Sequence, residues 1–135
     1  MYSILEEATQ FFEQELAKSS GDRAQKYIKG RGLFSKTVAQ FRLGYAPNSR
    51  NSLKSALLGA NISESMLITA GLLVAGDSGV KSYDRFRDRI IFPIYDRRGR
   101  VIAFGGRTLG NSPAKYLNSP DTPVFNKSAV LYGMQ

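Results

Sequence analysis

The 135-residue sequence contains no cysteine, no histidine and no tryptophan. The first two absences remove whole classes of chemistry. Disulfide frameworks, thiol or imidazole catalysis, Ser-His-Asp triads and zinc held by Cys or His are all excluded within this chain. Any metal site would have to be built from carboxylates, which suits magnesium or manganese better than zinc. Long hydrophobic runs are missing too: no apolar stretch approaches the roughly 18 residues that a membrane span demands. The opening segment MYSILEEATQFFEQEL carries four glutamates and lacks the basic start and apolar centre of a signal peptide. These features point to a soluble, cytoplasmic protein with no membrane partner.

What is present is enough apolar material for a core, 42% of residues with 11% aromatic, at a length that suits one compact domain. Lys and Arg number 19 against 11 Asp and Glu, for a net charge of +8. That charge is unevenly placed: residues 1–22 hold five acids and one base, whereas residues 23–80 hold eight bases and two acids. Residues 81–135 hold ten bases and four acids. A basic surface that avoids one terminal element suggests a polyanion partner, the alternative being an ordinary solvated face.

Ile4, Leu5, Ala8, Phe11, Phe12 and Leu16 recur at helical spacing with Glu6, Glu7, Glu13 and Glu15 off the stripe, predicting an amphipathic helix over 3–18. Gly21 stops it and Asp22 opens a second helix through about Lys29, which leaves Arg31, between Gly30 and Gly32, at a helix end or turn. Ser35 is expected to cap a short helix carrying Val38 and Phe41, and further short helices fit 51–58 and 63–70. Residues 42–47 read as an exit into extended structure. From Leu72 the pattern turns to β. Arg89–Tyr95 and Arg100–Gly106, joined by Asp96-Arg97-Arg98-Gly99, predict a hairpin in which Gly99 takes a positive φ and Pro93 lies on an edge or at a bulge. Lys115–Asn118 is a further strand candidate. The expected fold class is α+β, a helical N-terminal half followed by a small mixed or antiparallel sheet.

Arg85, Arg87 and Arg89 alternate with Phe86 and Asp88, so an extended chain would place three guanidiniums on one face, about 7 Å apart, a spacing that could follow a nucleic-acid backbone. Gly105-Gly106-Arg107 follows an apolar strand; paired glycines permit close approach of an anion or mark a bulge. Lys115-Tyr116-Leu117-Asn118-Ser119-Pro120 brings together a cation, an aromatic ring and an amide, and Lys127 follows a second turn. Catalytic carboxylates are conspicuously few. Asp84, Asp88 and Asp96 lie among arginines and read as ion-pair partners rather than ligands of a two-metal site.

The segments Tyr83–Ile94, Asp96–Arg107 and Lys115–Pro120, in series, closely resemble the bacterial replicative DNA primase (DnaG-type) family. Tyr27–Leu33 and Phe41–Pro47 match upstream blocks of the same family, and Val124–Lys127 with Leu131–Gly133 match its continuation, so the resemblance covers nearly the whole chain. It implies a fragment of an enzyme that makes RNA primers on single-stranded DNA, and residues 1–135 are expected to be the basic N-terminal subdomain of the catalytic core. The zinc-binding module, the metal-binding Toprim subdomain and the helicase-binding region would then lie outside the chain, with Gln135 an imposed boundary. No catalytic residue and no cofactor is expected in this piece; magnesium or manganese would belong to Toprim and zinc to the N-terminal module.

Carried over by matching motif, Arg31, Lys115, Tyr116 and Asn118 are expected to bind nucleotide, and Arg85, Arg87, Arg107 and Lys127 to bind DNA. Asn126 departs from the family pattern, where histidine is common. The implied partners are a single-stranded template, nucleoside triphosphates and a replicative helicase. Two other readings stay open, a stand-alone single-strand-binding module and a scaffold for a neighbouring domain, and within the family a primase–helicase fusion.

Overall fold

The computed structural model describes residues 1–18, 21–30, 41–109 and 116–126. The expected helix from Ser35 falls outside these residues, apart from the exposed Phe41. Helix α1 (Tyr2–Ala17) buries Ile4, Leu5, Ala8, Phe12 and Leu16, the stripe its spacing demands, with Phe11 half-buried at its margin. Thr9 is buried as well, because its hydroxyl donates to the Leu5 carbonyl one turn back, at 2.8 Å. Off the stripe, both Glu6 oxygens accept from Arg42 at 2.8 and 2.7 Å, and Glu13 accepts from the same guanidinium at 2.9 Å. The Arg42 hydrogen bonds hold the Glu6 carboxyl below the usual carboxylate range. Part of the acidic N-terminal charge is therefore neutralised within the fold.

Helix α2 (Asp22–Gly30) buries Ala24 and Ile28, and the extended exit is strand β1 (Gly44–Ala46). Helices α3 (Ser52–Gly59) and α4 (Glu64–Thr69) end alike. Asn61 and Gly71 take left-handed φ of 66° and 78°. Ile62 N–H then reaches back to the Leu57 carbonyl at 3.2 Å and Leu72 N–H to that of Leu67 at 3.0 Å, the paired closure of a Schellman turn. Ser63 caps α4 through the Met66 amide. Two short strands, β2 (Leu73–Val74) and β3 (Tyr83–Asp84), pair antiparallel by themselves.

The main sheet joins β1, β4 (Arg89–Tyr95), β5 (Val101–Thr108) and β6 (Tyr116–Asn118) in that order, every pair antiparallel. The β4–β5 hairpin turns through Gly99 at φ 79°, with Asp96 Oδ1 accepting from the Arg98 and Arg100 amides, each at 2.9 Å. Strand β1 covers only Arg89–Ile91, so Pro93 lies where β4 has β5 as its one neighbour, beside a register shift at Ile94/Tyr95. A proline lacks the donor an inner strand needs, and both features spare it that demand. One sheet face packs on α1 through Phe12, Phe86 and Phe104, whose rings meet edge-on at 5.4 to 6.4 Å. On the other, Tyr45 and Ile90 pack with Leu16, Ala24, Ile28 and Leu43. Each such side chain contributes about 1.5–3 kcal/mol by leaving water. The fold is α+β, with an antiparallel sheet.

Candidate nucleic-acid and nucleotide interface

Cross-strand register sets the site. Gly105 faces Asn118 and Arg107 faces Tyr116 across β5 and β6, and directly opposed residues share a sheet face. On that face Arg107 is exposed, Tyr116 is 56% exposed and Asn118 half-buried. Ile90 and Phe92 of β4 stand opposite Arg107 and Gly105, and Ile90 is covered by Ala24 and Ile28 of α2. Helix α2 thus packs on the same face and ends at Gly30, one residue before Arg31. Arg31, Lys115 and Lys127 lie outside the described residues.

The glycine pair has a specific use on each face. A Cβ on Gly105 would run into the Tyr116 hydroxyl and come within 3.3 Å of Asn118 Oδ1. A Cβ on Gly106 would meet Phe86 Cδ1 at 2.9 Å and Arg89 Cδ at 3.1 Å on the opposite face. The first glycine lets the Tyr116 ring lie over the strand; the second lets the phenylalanine core close. The bulge reading of this pair does not hold, since register runs unbroken from Arg89/Thr108 to Ile94/Ala103.

Ser119 is fully buried: its hydroxyl accepts from the Phe104 amide at 2.9 Å, and its own amide donates to the Phe104 carbonyl at 2.9 Å. These bonds pin the end of β6, and the chain continues through Pro120 against Gly71, whose added Cβ would stand 2.8 Å from Pro120 Cδ. The Gly71 carbonyl in turn accepts from Arg85 Nε at 2.9 Å. Arg85 and the Tyr116–Pro120 segment, distant in sequence, therefore adjoin through one residue. Arg85 is half-buried, and burial lowers its pKa from the ordinary guanidinium value.

The single-face row of Arg85, Arg87 and Arg89 does not form. Residues 85–88 lie between strands β3 and β4, and Asp88 takes φ 52°, which breaks the two-residue period. Arg89 is buried at 6% exposure and donates to the Gly106 carbonyl at 3.2 Å, while Arg87 stays exposed. The alternation was compatible with a strand, and a single left-handed residue overrides it.

Asp84, Asp88 and Asp96 are committed to structure. Asp84, expected as an ion-pair partner, instead accepts from the Leu53 and Lys54 amides at 2.9 and 3.0 Å, capping α3 from 30 residues away where Asn51 offers no side-chain cap. Burial raises its pKa against the lowering effect of those two amides. Asp88 pairs with Arg23 at 3.3 Å and accepts from the Tyr45 hydroxyl at 2.9 Å. Burial first, and Asp88 second, push the Tyr45 pKa up to about 12. Asp96 pairs with Arg100 Nε at 2.8 Å. Among the described residues no group of three or more His, Cys, Asp or Glu could hold a metal ion.

The profile of the DNA primase catalytic core, N-terminal domain, matches residues 11–135, and the chain belongs to that family. The DNA primases of Pseudomonas aeruginosa and Escherichia coli K12 are 47% and 43% identical over 135 and 134 residues, 99% of this chain but 20% and 23% of their own lengths. The chain thus spans about a fifth of these relatives. A DNA primase domain from Pseudomonas aeruginosa superposes with TM-score 0.87 at 48% identity, over 93% of this chain and 40% of that one. A DnaG primase catalytic domain bound to single-stranded DNA gives 0.86 at 43% identity, over 93% and 39%. The RNA polymerase domain of the Mycobacterium tuberculosis primase DnaG, in complex with a double-stranded DNA oligomer with a 6-nucleotide overhang, gives 0.88 at 30% identity, over 94% and 40%.

Proposed function

We propose that this chain is the basic N-terminal subdomain of a DNA primase catalytic core, presenting template and nucleotide to a metal centre built by another part of the enzyme. The observation that carries this reading is the strip of exposed Arg107 and Tyr116 with half-buried Asn118 on one face of β5–β6, with Arg85 tied to its end through Gly71. Arg85, Arg87, Arg107 and Lys127 contact phosphates of a single-stranded template. Arg31, Lys115, Tyr116 and Asn118 hold the nucleoside triphosphate, the cations on its phosphates, the ring by stacking and the amide on sugar or base edge. Contacts of this kind go mainly to the backbone, so sequence preference is slight. The divalent metals needed for nucleotidyl transfer belong to Toprim carboxylates, zinc to the N-terminal module, and the helicase contact to a further region. The relative solved with single-stranded DNA and the family membership support this assignment.

The test is direct. Purified chain is titrated with labelled single-stranded DNA, then with a nucleoside triphosphate, and the titrations are repeated with Arg85→Ala, Arg87→Ala and Lys115→Ala. The arginine variants are expected to weaken DNA binding and Lys115→Ala to abolish triphosphate binding. DNA binding without any triphosphate binding would leave a single-strand-binding module, and arginine variants that bind DNA unchanged would leave a scaffold.

A further inference from the structure

One aromatic ring, Tyr83 on β3, carries two cations. The Arg50 guanidinium carbon lies 4.5 Å from the Tyr83 ring centroid, and that of Arg87 lies 5.2 Å from it. The two guanidiniums are no further apart than those distances laid end to end. They come from separate segments: Arg50 precedes α3, Tyr83 is in β3 and Arg87 lies in the connection to β4. The Asp84 amide donates to the Arg50 carbonyl at 2.6 Å, which fixes these segments against each other whatever the Arg50 side chain does.

Two like charges on one ring repel unless something neutralises them. The nearest candidates in sequence are Asp84 and Asp88, and both face elsewhere. Asp84 is buried with its oxygens on the α3 amides, so it acts on Arg87 only through space. Asp88 is held by Arg23 and Tyr45. Lys54, one helical turn beyond Arg50, is engaged by the Ser82 carbonyl and Glu64. Arg50 and Arg87 are both exposed and make no ion pair among the described residues. With each guanidinium over the ring and neither paired with a carboxylate among the described residues, their N–H groups suit bidentate contact with phosphate.

We propose that Arg50, Tyr83 and Arg87 form a phosphate clamp that extends the single-strand surface beyond Arg87, with Arg50 a direct backbone contact and Tyr83 the platform that orients both arginines. This rests on the single-strand reading given above and adds Arg50 and Tyr83 to it. A single strand offers successive phosphates on the scale of the arginine separation, whereas a compact triphosphate has its own subsite at Lys115.

The experiment measures binding of a fluorescein-labelled oligodeoxythymidine by anisotropy across a salt series, for the wild-type chain, Arg50→Gln, Tyr83→Leu and Arg98→Gln. Arg98 is exposed on the β4–β5 hairpin turn, and its variant supplies the same loss of charge away from the clamp. Arg50→Gln is expected to weaken binding about twofold to fivefold and to lower the slope of log affinity against log salt by about 0.7, one phosphate on a single strand. Tyr83→Leu is expected to weaken binding while every charge is kept, and Arg98→Gln to leave affinity and slope near wild type. Circular dichroism and melting check that each variant is folded. Equal losses in Arg50→Gln and Arg98→Gln would mean a general charge effect and overturn the clamp. So would an unchanged Arg50→Gln slope in a wild-type background that binds DNA, while the broader reading stood. A wild-type chain that binds no oligonucleotide would overturn both. Complete competition by added nucleoside triphosphate, with the Arg50→Gln defect then seen in triphosphate binding, would move these arginines to the nucleotide subsite and overturn the strand assignment.

Discussion

Single residues here do unexpected structural work for their type, and their loss should be readable as stability. Asp84 is an acid in an arginine-rich stretch, yet its two oxygens satisfy the Leu53 and Lys54 amides in the first turn of α3. Asp84→Ala is expected to cost about 1–3 kcal/mol in urea denaturation, and Asp84→Asn less, because its amide oxygen still accepts one bond. A loss of that size through a cap marks Asp84 as a fold residue, separate from any metal chemistry. Tyr45 makes a prediction about pH. Its folded pKa is pushed up to about 12 from an ordinary 10.0, so its contribution is complete below pH 10 and is lost as pH rises toward 12. The unfolded chain releases that proton first and is favoured by it. Denaturation of wild type and Tyr45→Phe across this range should show an alkaline loss, on the order of 2 kcal/mol, that the phenylalanine variant lacks. Neither role was legible beforehand. Asp84 reaches across 30 residues to Lys54, and no local pattern announces a cap supplied from so far away.

At the scale of elements, what the sequence made plain was whatever a short window controls. The α1 stripe, the Gly99 turn and the position of Pro93 all follow from spacing and from backbone demands of one or two residues. The arginine row failed for the complementary reason: the left-handed Asp88 between Arg87 and Arg89 is held by Arg23 and Tyr45, partners that no window around residue 88 contains. Strand β5 shows how much one element can divide its labour. Gly105→Ala is expected to displace the exposed Tyr116 ring with little change in melting and a clear loss of triphosphate binding. Gly106→Ala presses on the buried Phe86 ring instead and is expected to cost about 1–3 kcal/mol, as overpacked cores do. Thermal melts beside nucleotide titrations of the two variants separate the roles. Equal destabilisation by both would mean that Tyr116 is part of the packing rather than a ring held ready for a ligand.

For the whole molecule the net charge of +8 acquires a distribution. Glu6, Glu13 and Arg42 close one another off along α1, and Asp88 and Arg23 do so beside α2, while Arg50, Arg87 and Arg107 stay exposed, as do Lys26, Lys29, Lys81, Arg97 and Arg98 elsewhere on the surface. On the proposed reading, arginine alone holds the polyanion. Asp84, Asp88 and Asp96 are bound to amides and guanidiniums. Removal of divalent cations should therefore leave the DNA affinity of this chain unchanged at matched ionic strength, because phosphate binding by arginine depends on counterion release and not on a bridging cation. With magnesium present and no second domain supplied, the same preparation should make no primers. Anisotropy in EDTA against magnesium at equal ionic strength, run beside a primer-synthesis assay, tests both halves together. Magnesium-dependent DNA binding would place a metal bridge within this chain and break the division of labour, and primer synthesis by the chain alone would do so more directly. Binding indifferent to metal, together with no primer synthesis, is the outcome expected of the proposed template- and nucleotide-presenting subdomain.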